Sequence, residues 1–392
     1  MTATEDLPTL GTMAPRIGRM NPLMRSLQEQ AAVCPVRTQM GDPAWLVTRH
    51  AEVKSLLMDH RIGPTHPDPP NRSKYLDNPL LDLLITDGDP VAAREQHQWM
   101  RNMLTPHFSA RRMAKLQPRV EARVHGLIDA IVDHGPPADL HDMMSLPISF
   151  QVLCDLLEIP DRDRYLSHLS DAGAVEDDRN AGGVRHPLFG YLEEVSKHKR
   201  ENPDDGLITA LTENISDDMI VAGLTAMVSI SFQVTPTNIS AGIALFAINT
   251  DQRDLLIANP DLQAKAIEEG LRMSKVSESF VPRYASEDID IAGVTIKSGD
   301  LVLVDHYSCG FDDRVFPEPE RFDITRSPNP HLAFSRGITH CIGAPLARLE
   351  IAEVYKGLFS RLPNMRLAVA PEDVPMLGQQ LGGGIAELPV VW

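Results

Sequence analysis

Ten residues constrain this chain more than any others: Phe334-Ser335-Arg336-Gly337-Ile338-Thr339-His340-Cys341-Ile342-Gly343, which run straight into Ala344-Pro345-Leu346-Ala347-Arg348-Leu349-Glu350. Gly337 admits backbone angles that a Cβ resists, and Gly343 lets the chain come close to a ligand. Cys341 falls just before a helix N-terminus, where free N–H groups and the positive dipole end favour a thiolate. Pro345 suits the first helical turn, which has no use for its missing N–H. The segment offers one thiolate to a metal at a tight turn. For an isolated Cys-x-Gly, a plain loop cysteine would be the better reading. The full spacing Phe-x2-Gly-x3-Cys-x-Gly arises by chance in roughly one chain per thousand of this length, which tips the balance toward a ligand.

The other cysteines, Cys34, Cys154 and Cys309, lie far from Cys341 and from each other, without a Cys-x-x-Cys pair. That excludes a zinc finger and gives no disulfide framework. A net charge of -17 argues against nucleic acid as a partner. The start, Met1 to Asp6, lacks the basic and apolar runs of a secretory signal, and no stretch reads as a clear membrane span. The expectation is a cytoplasmic protein with no membrane partner, with residues 1–18 disordered and the whole chain, 1–392, one domain.

Taken in order, residues 20–36 read as a short helix ending near Cys34-Pro35, followed by two strand-like pieces of which Pro43 to Thr48 is the clearer. Arg49 to Met58 returns to helical spacing. Gly63 to Pro90 is loop-like, too long to be idle in a compact protein. In the helical Arg94 to Leu104, His97 and Arg101 share a face and can together hold a carboxylate, although a solvated face explains the pair equally well. Residues 94–123 carry seven Lys or Arg, among them Arg111, Arg112 and Lys115, against Glu95 and Glu121. Solvated faces or an acidic partner both account for this basic island. Residues 113–133 and 145–158 read as amphipathic helices. The polar Asp177 to Gly183 reads as a lid connection.

Ser216-Asp217-Asp218 opens a helix with Ser216 as its cap, and Met219 to Ile248 is apolar nearly all round, as for a helix through the middle of a protein. Pro236 should bend it and leave the carbonyl of Phe232 free. Glu269 and Arg272 stand at i, i+3 and suit a charge pair.

These features, in this order from about Trp45 to Trp392, resemble the cytochrome P-450 family. The resemblance implies a mainly α fold with small β-sheets, shaped as a triangular prism, and haem b as cofactor with Cys341 as the axial thiolate. Phe334, Gly337 and Gly343 belong to the same haem-binding signature. His97, Arg101, Arg283 and His331 match propionate ligands, and Glu269–Arg272 matches the pair that orders the loop before the cysteine. Phe316 to Asp323 matches the meander and Gly384 to Trp392 the last hairpin. Thr235 aligns with the threonine that orients oxygen above the haem, but the neighbouring acid position holds Val234, leaving Gln233 or Thr237 to order water. Other departures are Trp99 for an arginine, Ser335 for a glycine, Thr339 for a propionate donor beside His340, and Gly310-Phe311 for Asn-Arg.

The function implied is oxidation of a small, aromatic natural-product precursor by activated oxygen. Oxidative coupling of a phenolic or cyclodipeptide substrate is the alternative reaction, and a haem-binding sensor the alternative class. Electrons would come from ferredoxin and ferredoxin reductase, docked on a monomer through Arg111, Arg112, Lys115 and Arg348.

Overall fold

Val221, Ala222, Ile239, Ile243 and Phe246 are all fully buried although they point in different directions from one helical rod, Asp218–Ile248. A helix apolar on every side is stable only where every side is covered. The computed structural model describes residues 7–11, 16–76, 88–173, 187–274, 282–377 and 384–392. Among these, there are thirteen α-helices, the two halves of the rod included, and three small sheets, giving the mainly α architecture expected. The rod is long and apolar enough to cross a membrane, yet 56% of its most apolar window is buried inside the protein, as for a core helix. The lid connection at Asp177 to Gly183 lies outside the described residues, as do 77–87 of the Gly63 to Pro90 loop.

Asp217, not Ser216, caps the rod by accepting the N–H of Met219 at 2.8 Å. Either type caps well; the chain turns one residue later than the sequence suggested. At its far end the rod meets the helix Ala344–Arg361, which begins just after Cys341. Contact is close because position 242 is glycine: a Cβ there would fall 1.9 Å from the Tyr355 hydroxyl oxygen. The helix Ala110–His134 lays Met113, Leu116, Val120, Val124, Ile128 and Ile131 along the buried side of the same helix.

Residues 33–37, expected to finish the first helix, instead form a strand. The helix Pro22–Gln30 stops where Ala31 turns extended, and Val33 to Arg37 pairs antiparallel with Pro43–Val47, burying Cys34 and Val36. β-Branched Val33 and Val36 favour this outcome over helix. The five-stranded sheet runs Val33–Arg37, Pro43–Val47, Leu301–Val304, Arg283–Ala285 and Ile62–Gly63. It positions the site by pairing Arg283 with Val302.

Candidate active site

Gly337 sits at φ +67 in the loop before Cys341, where a Cβ would lie 2.9 Å from Met58 Sδ and 3.2 Å from the Leu57 carbonyl. The loop tightens into a short 3₁₀ turn, Gly337–Thr339, and closes with Cys341 N–H donating to the Phe334 carbonyl at 2.8 Å. Gly343 caps the helix that follows, in ordinary right-handed geometry. Of the four cysteines, all free, Cys341 alone is exposed. Protein atoms still crowd its sulfur, and burial raises the thiol's pKa. The N–H groups of Gly343 and Ala344, then the Arg101 and Arg348 charges, pull it back down. Cys154, without such donors, is pushed up to about 11. A metal cation would complete what these donors begin.

The helix Pro90–Leu104 starts at Asp89, which accepts the N–H of Val91, and carries His97 and Arg101 on one face as its spacing predicts. Arg101 donates to the His340 carbonyl at 2.7 Å, tying this helix to the cysteine loop. Burial lowers the His97 pKa first, and the charges of Arg101 and Arg283 lower it further. Arg283 is the telling residue. Its Nε is buried with no hydrogen-bond partner, and burial depresses its pKa with no acid to oppose it. The residue as a whole is half-buried, and a guanidinium partly withdrawn from water without an acid beside it is stabilised when an anion arrives. An accessible thiol and an anion-deficient group of His97, Arg101 and Arg283 together fit haem b, with its iron and its carboxylates.

His331 does not join that group. Its Nε2 lies 2.9 Å from Glu268 and its Nδ1 accepts the N–H of Ala333, so both ring nitrogens are engaged. Glu268 also takes a two-pronged contact from Arg348, at 2.6 and 2.9 Å, and is held down to about 2 despite its burial. The Arg348 guanidinium lies over the Phe334 ring, 4.5 Å from its centroid. Arg348 is thus neutralised by Glu268 rather than free for docking. Arg112 and Lys115 likewise meet Asp205, and Arg119 and Arg123 meet the buried Asp155. Folding dissolves much of the basic island; Arg111 stays exposed and without a partner among the described residues.

Glu269 and Arg272 form the expected pair, both side chains fully buried. Sequence reasoning missed the rest of the cluster: Arg326 and Asn329 also donate to Glu269, at 3.1 and 3.0 Å. The one signal was an arginine just beyond the meander's Asp323. Two departures from the family pattern account for each other here. Ser335 adopts φ +61 where glycine is usual, and its hydroxyl lies 2.8 Å from that of Thr339. Phe311, another departure, is buried beneath the Arg272 guanidinium at 5.7 Å. His340 turns its Nδ1 toward the Ser335 carbonyl at 3.4 Å.

The rod breaks at Phe232–Gln233, as Pro236 requires, between helices Asp218–Ser231 and Val234–Ile248. The Phe232 carbonyl is not left free. The chain tightens so that Thr235 N–H reaches it at 3.0 Å, and the acceptor left without a backbone partner moves to Ser231. Gln233 points its amide at the Leu169 carbonyl, 3.4 Å away. Thr235 is buried, yet its hydroxyl is not bonded back to its own helix, unlike those of Thr225 and Ser229.

Known proteins are similar to this chain in sequence and fold. The family described as Cytochrome P450 matches residues 257–374, from before Glu268 to beyond Cys341. Pentalenolactone synthase of Streptomyces exfoliatus is 35% identical, covering 99% of this chain and 100% of that one. Mycinamicin IV hydroxylase/epoxidase of Micromonospora griseorubida is 33% identical over 93% of this chain and 94% of its own. The solved structure of substrate-free cytochrome P450 PimD, a polyene macrolide antibiotic pimaricin epoxidase, is 43% identical and covers 99% of this chain and all of that one, with a TM-score of 0.90. Identity at this level over nearly the full length of each protein reaches past the fold to the family: the chain belongs to the cytochrome P450 family, as a monooxygenase whose cofactor is haem b.

Proposed function

We propose that this P450 hydroxylates or epoxidises a largely aliphatic natural product as a late tailoring step. The observation that carries the reading is an accessible apolar stripe in the middle of the central rod. Met227, Ile230, Ser231 and Val234 recur at three- and four-residue intervals and stay partly or fully accessible in mid-rod, away from the exposed Met219, Ile220 and Ile248 at its ends. Val234 is 49% exposed. Just beyond, Thr237 packs against Gly384 and Asn238 accepts from Ser274, so the stripe turns toward the end of the helix Gln263–Met273 and the last hairpin. A wall of methionine, isoleucine and valine suits saturated rings and chains, whose transfer from water it rewards. The polyene macrolide and mycinamicin in the relatives' names agree with this.

When bound, haem b supplies oxygen activation, with thiolate ligation favouring O–O cleavage. In this reading Cys341 would ligate the iron, its sulfur held by the Gly343 and Ala344 N–H groups. Arg283, Arg101 and His97 hold the carboxylates, and Phe334 and Gly337 shape the loop. Thr235, with its hydroxyl unengaged, would orient oxygen, and Gln233 closes the break against Leu169. The chain works in the cytoplasm as a monomer with a ferredoxin and its reductase. Arg111, the unpaired member of the basic island, steers the acidic donor. Arg111→Glu should slow reduction at low salt, with the defect shrinking as salt rises.

A second reading, oxidative coupling of aromatic rings, draws on Val234 standing where an acid is usual. A substrate-induced spin-shift screen over macrolides, sesquiterpenoid lactones, phenols and cyclodipeptides, followed by mass analysis, decides between them. Gain of one oxygen atom on an aliphatic binder is the expected result. Loss of hydrogens with no oxygen gained, on an aromatic binder, would establish coupling instead.

A further inference from the structure

The central rod carries six hydroxyl residues: Thr225, Ser229, Ser231, Thr235, Thr237 and Ser240. Four are engaged. Thr225 donates to the Val221 carbonyl, Ser229 to the Thr225 carbonyl, Ser240 meets His141 Nδ1 at 2.9 Å, and Thr237 has a partner. Ser231 and Thr235 have none among the described residues. They stand one turn apart across the helix break. Ser231 is exposed, on the open stripe beside Val234, whereas Thr235 is only 5% exposed. The break also strips the Ser231 carbonyl of its backbone donor, because Thr235 N–H goes to Phe232. Ser231 therefore combines an unengaged hydroxyl on the open stripe with a carbonyl that has no backbone donor. With the Thr235 hydroxyl one turn on, these are three polar groups without a protein partner, the number that commonly fixes an internal water.

The usual acid of this helix is missing. Val234 offers only methyl groups, and the Gln233 amide is turned to Leu169. Protons must still reach the distal side, since one atom of each oxygen molecule leaves as water. We propose that Ser231 is the positioning residue that holds the proton-carrying water here, in place of the acid that Val234 lacks. The held water gives up a proton toward the haem face. It regains one from the next water outward, and the Ser231 hydroxyl passes and recovers its own proton in the same exchange. No residue changes charge, and the net proton comes from solvent.

This inference rests on the open stripe being the haem-facing side, and the test separates the two claims. Carbon monoxide serves as the probe in the reduced holoenzymes of the parent, Ser231→Ala, Ser231→Thr and Ser231→Ala with Val234→Glu. All should keep the strongly red-shifted Soret band of a thiolate ligand. A hydroxyl or held water near the bound gas lowers its C–O stretch, so infrared spectra should lose the low-frequency component in Ser231→Ala and regain it in Ser231→Thr. With a plant-type ferredoxin and its reductase, Ser231→Ala should release several-fold more peroxide per NADPH consumed, and the added glutamate should reverse that increase. A C–O stretch and peroxide yield unchanged in Ser231→Ala would overturn the role of Ser231. A parent protein without the red-shifted band would overturn the haem assignment beneath it.

Discussion

Arg272 is buried and Arg283 half-buried near the cysteine loop, and the fold treats them in opposite ways. Every donor of Arg272 is used: Nε and Nη2 on Glu269, Nη1 on the Gly310 and Pro319 carbonyls, and the second Nη2 hydrogen on the Arg321 carbonyl at 3.4 Å. Phe316 and Phe311 lie across its guanidinium. Arg283 keeps a buried Nε with nothing to bond. A cation satisfied in full is a piece of architecture. One half-buried and left short of an anion is a receptor, because its desolvation cost is recovered only when a carboxylate binds.

The largest expected effect tests the architectural side. Arg272→Ala strands Glu269 with only part of its compensation, and should cost about 3–5 kcal/mol in denaturant unfolding of the apoprotein. A loss below about 1 kcal/mol would mean that the cluster is not what holds the loop.

Arg283 should behave with the opposite sign. Arg283→Met removes an unsatisfied buried donor, so the apoprotein should gain about 1–2 kcal/mol while haem affinity falls by about 2–3 kcal/mol. Denaturant unfolding without haem, beside haem titration, reads both. If Arg283→Met weakened the apoprotein as much as Arg272→Ala does, the contrast between them would collapse. Cys341→His belongs on the receptor side too: it should abolish the red-shifted carbon monoxide band yet leave apoprotein unfolding near that of the parent.

Glu268 sharpens the comparison through pH. Its folded pKa, about 2, lies below the reference 4.5, so its pairing with Arg348 and His331 stabilises the fold above pH 4.5 and is lost as pH falls toward 2. Because the pair is partly exposed, screening reduces its worth to about 1–2 kcal/mol. Glu268→Gln should show that deficit at pH 7 and lose it on acidification; a deficit independent of pH would point to packing rather than charge.

The smallest effect lies in the loop. Thr339→Val should cost about 0.5–1.5 kcal/mol by removing the Ser335 hydroxyl's partner. Ser335→Gly loses the same bond but relieves a left-handed residue, a gain of about 1 kcal/mol, and should come out near neutral in thermal unfolding.

Much of this was legible from residue order alone. Local rules act on neighbours, so the thiolate at a helix start, His97 and Arg101 one turn apart, the i, i+3 pair of Glu269 and Arg272, and a bend ahead of Pro236 follow from spacing and backbone chemistry. Only the tertiary structure decided what each charged group meets. His331 was read as a haem ligand, and Glu268, next to the residue that sequence singled out, claims it. The basic island stands out along the chain, and in the fold four of its side chains find partners, two on Asp205 in the loop before Leu207 and two on Asp155 in another helix. The carbonyl freed at the helix break moved from Phe232 to Ser231 because the turn tightened by one hydrogen bond. Charge and hydrogen-bond satisfaction depend on partners distant in sequence, and those distances close only when the core packs.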